Sequence, residues 1–191
     1  ITDSNGCTIL DSAEILTGTN PDLSVTILEP SCFGDTDGEL TSSATLGTAP
    51  YQFSIDGGLF QSDSMFTGLS AGTYSIIVQD TLGCTDSDSI IVANPSMVNI
   101  TLDTTMTQDT LVTCFGDPSN GITVIATGGT GPSTYLYNIP GILPVLQASG
   151  DFTGLYAGAY TIYTIDFNGC PDSVVVTISE PDSLMFTTSF Q

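Results

Sequence analysis

Five cysteines and 21 carboxylates are the side chains of this 191-residue sequence that could do chemistry, and no lysine, arginine or histidine accompanies them. Paired carboxylates can cleave a glycosidic bond, carboxylates at alternate positions can hold a divalent cation, and thiols can join as disulfides. Much else is excluded. A Ser-His-Asp or Cys-His nucleophile requires an imidazole, a Schiff base requires a lysine, and an anion clamp requires arginine. At a formal net charge of -21 nothing neutralises a phosphate backbone, so no nucleic-acid partner is expected. The carboxylates have no cationic side chain to pair with, and must be solvated, hydrogen-bonded or bridged by cations.

The elements that would position these groups are written more than once. Ser31-Cys32-Phe33-Gly34-Asp35 returns as Thr113-Cys114-Phe115-Gly116-Asp117, and Phe66-Thr67-Gly68-Leu69 as Phe152-Thr153-Gly154-Leu155. An Asp-x-x-Gly-Cys element ends at Cys7, Cys84 and Cys170, and each copy is followed by a proline, Pro21, Pro95 and Pro181. The expected organisation is therefore the tail of one repeat (1–21), two complete repeats (22–95 and 96–181) and the first strand of another (182–191).

Within the first complete repeat, short β-branched and aromatic runs alternate with Gly, Pro, Asn and Asp about every ten residues. Strands are expected near 23–29, 39–46, 51–55, 64–67, 73–79 and 88–93, with essentially no helix. The fold class is all-β, with tandem immunoglobulin-like β-sandwich repeats arranged as a linear rod. Leu-x-Ala-Gly-x-Tyr before two of the runs has the form of a tyrosine corner, assigning Tyr74 and Tyr160 to structure. A composition that is 40% hydrophobic and only 11% charged is too apolar for a disordered chain. No run reaches the roughly 20 apolar residues that span a bilayer, and the first residues lack the basic region of a signal peptide, so a mature piece without a membrane span is expected.

Taken together, Cys32-Phe33-Gly34-Asp35, Asp37-Gly38-Glu39, Pro50-Tyr51-Gln52-Phe53, Leu69-x-Ala-Gly-Thr-Tyr74, Gly83-Cys84-Thr85 and Ile91-Val92-x-x-Pro95 resemble the SprB-type repeat of giant Bacteroidetes cell-surface adhesins, the gliding motility adhesin family. The second repeat departs from the pattern at Pro132-Ser133-Thr134-Tyr135 and in its longer stretch between Pro95 and Cys114. The resemblance implies an extracellular, cell-surface protein exported through the outer membrane, carried along the surface by some members to drive gliding. It also makes Asp-Ser/Thr sites similar to the O-glycosylation acceptors of exported Bacteroidetes proteins: Ser12, Ser64, Thr81, Ser89, Thr104, Thr110, Ser173 and Ser183.

An exported protein with these cysteines is expected to carry disulfides. One pairing is within repeats, Cys32 with Cys84 and Cys114 with Cys170. In an immunoglobulin-like sandwich, however, the loop after the first strand and the loop before the last lie at opposite poles, too far apart to bridge. The other pairing joins Cys32 to Cys170 across the joint between repeats, and the two stand as alternatives.

Asp35, Asp37 and Glu39 have the alternation that opens a calcium loop, against which stands a plain Asx turn. A second acidic group, Asp80, Asp86 and Asp88 with Glu29, carries the same two readings. No other cofactor is expected. A glycosidase pair is disfavoured because the acidic positions recur between repeats, whereas an active site is normally single, and no enzyme activity is expected.

These readings converge on a structural shaft segment of a secreted adhesin filament, mediating attachment and gliding. Its expected partners are neighbouring repeats of the same chain, further copies through self-assembly, and a surface or glycan target that the sequence does not identify. The alternative is a carbohydrate-binding accessory module of a secreted glycoside hydrolase, for which only Tyr51, Tyr135, Tyr137, Tyr156 and Tyr163 could supply aromatic contacts. A third reading is lateral assembly through an added strand from Met97 to Thr113. One-signed charge sets one expectation for solution behaviour: raising ionic strength from about 0.01 M to 0.15 M screens self-repulsion and raises the calorimetric melting temperature by several degrees.

Overall fold

The computed structural model describes residues 4, 5, 18–105, 110–119, 121–131 and 133–185, and among them every regular element is a strand. In the first repeat these are β1 (Pro21–Leu28), β2 (Gly38–Leu46), β3 (Gln52–Ile55), β4 (Met65–Leu69), β5 (Gly72–Gln79) and β6 (Thr85–Val92). In the second they are β7 (Ser96–Leu102), β8 (Ile122–Gly129), β9 (Leu136–Ile139), β10 (Leu143–Gln147), β11 (Asp151–Phe152), β12 (Gly158–Ile165) and β13 (Pro171–Ile178).

The sheet orders are β1-β2-β4 and β3-β5-β6 in the first repeat, and β7-β8-β11 and β10-β9-β12-β13 in the second. Lettered along each repeat, strands A, B and E form one sheet and C, F and G the other, with β10 added beside C in the second repeat. That division is immunoglobulin-like. The β3–β5, β9–β12 and β12–β13 pairs are antiparallel and in continuous register.

By their contacts the residues form two compact units: Ile1–Thr26, Leu40–Phe66 and Thr73–Ile90, then Ile27–Glu39, Thr67–Gly72 and Ile91–Gln191. Residues 27–39 and 67–72 thus belong to the first repeat by sequence and to the second unit by contact. In the first unit, alternation turns Ile76 and Val78 of β5 inward, and Leu40, Phe53 and Phe66 are buried as well. In the second, Ile122, Val124 and Phe152 from one sheet meet Tyr137, Ile139, Ile162, Val176 and Ile178 from the other in one core.

The longer stretch after Pro95 is used within the sandwich. Met97 to Leu102 lies in strand A, β7, which pairs with β8 and stands at the edge of its sheet. Leu111 then bridges Ser179 in parallel, closing the other edge of the second repeat. Of the expected strand over 182–191, residues 182–185 are not in a strand and the rest lie outside the described residues, as does most of 1–21.

Phe152 is 1% exposed, whereas Val145 on β10 is 79% exposed. In urea denaturation, Phe152→Ala is expected to lose about 3–5 kcal/mol and Val145→Ala to stay within about 0.5 kcal/mol.

Candidate functional site

The Cys-Phe-Gly-Asp segment is a tight turn in both repeats. The Asp35 N–H donates to the Cys32 carbonyl at 3.1 Å, and the Asp117 N–H to that of Cys114 at 3.2 Å. Gly34 and Gly116, at φ 83° and 81°, occupy the position where such a turn needs a left-handed residue. Each turn is anchored to the residue before a proline: the Gly34 N–H donates to Asn94 Oδ1 at 3.1 Å, and that of Gly116 to Glu180 Oε2 at 3.0 Å.

The Asp-x-x-Gly-Cys element forms the turn between strands F and G. Its aspartate is buried in both repeats, Asp80 at 5% and Asp166 at 4% exposure. Oδ1 of Asp80 accepts the N–H groups of Leu82 and Cys84 at 2.9 and 2.8 Å, while Oδ2 accepts that of Thr48 at 3.0 Å. Asp166 repeats this with Asn168 and Cys170 at 3.0 and 2.8 Å and Thr130 at 2.8 Å. One carboxylate thus closes its own turn and grips the loop between strands B and C.

Burial by itself raises the Asp166 carboxyl. The N–H groups of Thr130, Cys170 and Asn168 and the Thr130 hydroxyl outweigh it and hold the pKa below the ordinary carboxylate value. A depressed folded value contributes stability that is present above the unfolded pKa near 3.9 and lost as pH falls through the folded one.

A second pair of carboxylates fastens strand A. Asp86 on β6 accepts the Leu23 N–H of β1 at 2.9 Å, and Asp172 on β13 accepts the Ile100 N–H of β7 at 2.8 Å. In each repeat this bond links the edge strands of the two sheets.

These devices meet at a disulfide. Cys32 is bonded to Cys170 with their Cα atoms 5.5 Å apart, and both lie in the second compact unit. The Thr130 hydroxyl lies 3.1 Å from the Ser31 carbonyl oxygen and 3.3 Å from Asp166 Oδ2, placing the turn, the loop and the carboxylate side by side. Closing 138 residues of separation contributes about 5 kcal/mol in the chain-entropy model. The pairing within repeats is not formed: Cys84 and Cys114 are free, and Cys7 lies outside the described residues.

The sequence leaves Asp35, Asp37 and Glu39 open to two readings, a calcium loop and an Asx turn. Among the described residues no three His, Cys, Asp or Glu side chains converge as metal ligands. Asp37 folds back on its own loop instead, taking the Ser31 hydroxyl at 2.6 Å and the Ser31 N–H at 2.9 Å. Those two bonds, the hydroxyl first, hold its carboxyl below the ordinary value.

The Tyr160 hydroxyl donates to the Tyr156 carbonyl at 2.7 Å, the geometry of a tyrosine corner, and Tyr74 holds the same place in β5. Tyr51 and Tyr135 donate to the carbonyls of Leu46 and Gly128, and Tyr137 is buried; Tyr156 and Tyr163 are exposed. Of the acceptor positions, Thr81, Ser89, Thr104, Thr110, Ser173 and Ser183 are exposed, Ser64 is half-buried, and Ser12 lies outside the described residues.

Gly47-Thr48 and Gly129-Thr130 were not singled out in the sequence. Threonine contributes a backbone N–H there, a group every residue but proline carries, so only the recurrence of Gly-Thr in both repeats signals it.

The strand orders and paired cores define the chain as tandem immunoglobulin-like β-sandwich repeats. The family model of the SprB repeat matches residues 24–60, within the first repeat. No curated protein matches the chain. Similar solved structures include the Clostridium thermocellum CbhA fibronectin(III)-like modules, at 15% identity over 87% of this chain and 100% of that one, with a TM-score of 0.35. The C-terminal 282-residue fragment of intimin, solved with the intimin-binding domain of its translocated receptor, is 13% identical over 82% of this chain and 63% of that one, TM-score 0.39. The N-terminal eight Ig domains of Down syndrome cell adhesion molecule are 16% identical over 85% and 25%, TM-score 0.36. At such scores the fold assignment rests on the strand orders themselves.

Gly129 sits at φ 75° with its missing Cβ 2.4 Å from Asp166 Oδ2, whereas Gly141, at φ 84°, faces open space. Gly141→Ala is expected to cost about 1 kcal/mol from the backbone alone, and Gly129→Ala about 2–3 kcal/mol or more, because it also parts the loop from the carboxylate. Equal losses in urea titration would show that the close approach contributes nothing.

Proposed function

We propose that this chain is a non-enzymatic segment of a secreted cell-surface adhesin, in which successive sandwich repeats act as a spacer that carries attachment, and in gliding cells motility, at a distance from the outer membrane. The observation that carries the reading is the SprB repeat at 24–60 together with the rebuilding of its turn, carboxylate and strand-fastening bonds in the second repeat.

Three further features support it. The Cys32–Cys170 disulfide is a kind of bond that persists in oxidising compartments outside the cytosol, which supports export. A chain without lysine or arginine offers trypsin-like proteases no cleavage site, which suits long exposure outside the cell. The carboxylates that burial sets apart, Asp80 and Asp166, recur in both repeats and are engaged by backbone N–H groups, which fits a structural role better than a single active site.

The test is whole-cell labelling. An antibody raised against the purified chain is expected to bind intact cells of the source organism, and deleting the gene to reduce attachment to a solid surface several-fold. Labelling that requires permeabilised cells would contradict the proposal, and glycan-array binding through Tyr156 or Tyr163 would favour the accessory-module alternative.

A further inference from the structure

The second repeat presents openly the surface that the first uses to make a disulfide. Around Cys32, a cleft of about 490 Å³ is lined by Cys32, Phe33, Met97 and Val98 on one side and by Gly169 to Asp172 of the F–G turn on the other. The corresponding residues of the second repeat, Cys114 and Phe115 with Pro181 to Leu184, line a cleft of about 550 Å³ to which no F–G turn contributes. Cys114 is exposed and free, Phe115 is 58% exposed and Leu184 is 93% exposed.

The turn that carries Cys114 has the same hydrogen bonds as the one that carries Cys32, closed from Asp to Cys and anchored through glycine to the residue before a proline. Its counterpart is also present as a free, half-buried thiol. Cys84 is free, and its turn is held by Asp80 as that of Cys170 is held by Asp166.

We infer that the Cys114 cleft is a docking site for the Asp-x-x-Gly-Cys turn of another repeat of this kind, sealed by a disulfide from Cys114, and that Cys84 is the matching thiol for a Cys-Phe-Gly-Asp turn. The cysteines thus divide into two classes that pair only with each other: Cys32 and Cys114 in Cys-Phe-Gly-Asp turns, and Cys84 and Cys170 in Asp-x-x-Gly-Cys turns, with Cys7 sharing the sequence of the second class. Charge does not select the partner, since every copy is anionic. Selection lies in the apolar wall of Phe115 and Leu184 and in the fixed geometry of both turns.

Each bond formed removes two protons and two electrons from a thiol pair. A disulfide-bearing oxidant takes them up: its S–S bond breaks and its two sulfurs leave as thiols. The inference rests on the proposed secreted repeat array for its oxidising setting, and not on adhesion. Its test uses purified chain alone, so either can fail without the other.

The full 191-residue chain is oxidised in a glutathione redox buffer, separated without reduction, and mapped after cleavage at acidic residues. Expected are disulfide-linked oligomers in which Cys114 of one copy is joined to Cys84 or Cys7 of another, with Cys32–Cys170 intact. Cys114→Ser should lower their yield at least tenfold. Leu184→Asp, which alters the cleft and no thiol, should slow their formation several-fold. Monomers alone, Cys114–Cys114 as the main product, or a rate indifferent to Leu184→Asp would each overturn the inference.

Discussion

A chain with 21 carboxylates and no cationic side chain must find other partners for every carboxylate that folding takes out of water. It uses backbone N–H groups. Burying an ionised carboxylate is tolerable only when hydrogen bonds to its charged form replace the lost water. Asp80, Asp86, Asp166 and Asp172 meet this condition with donors whose direction is set by the strands and turns that carry them. A lysine on a flexible stem would neutralise charge from many positions, but a backbone N–H does so from one. The charge problem and the placement of the turns therefore have a single solution, and the chain contains it twice.

Local devices accumulate into a larger consequence. The buried aspartate shapes the F–G turn and draws in the B–C loop through Gly-Thr; the strand G aspartate fastens strand A; and the residue before proline anchors the Cys-Phe-Gly-Asp turn. Each bond is worth little alone. Together they hold the two kinds of cysteine in fixed surroundings, and the bond between Cys32 and Cys170 joins one turn of each kind. Repeats specified so locally can be multiplied in a chain without redesign, as expected where stability comes from modules and their neighbours.

The strands were legible because their signals are local. Alternation in Tyr74 to Gln79 and the Gly, Pro, Asn and Asp punctuation around it placed β5 over 72–79 against an expected 73–79, and β2 over 38–46 against 39–46. Cysteine pairing was less legible, since it depends on which pole each loop occupies and local spacing leaves two pairings open. Asp35, Asp37 and Glu39 were ambiguous for a related reason: alternating carboxylates describe a cation site and an Asx-type loop equally well, and the two donations from Ser31 to Asp37 come from a residue outside that alternation. Strand β10 carried a weak signal because Pro144 interrupts it, which suits an edge strand.

The central claim is that Asp166, although buried, stays ionised because backbone N–H groups and the Thr130 hydroxyl replace its lost water. The most direct measurement is an NMR titration following the Asp166 carboxyl carbon, with Asp166→Asn to assign the signal. The account predicts a midpoint clearly below the unperturbed carboxylate value of about 3.9, because donation from Thr130, Asn168 and Cys170 outweighs desolvation. A midpoint at or above that value would mean that burial dominates, and that the hydrogen bonds do not hold the turn as described.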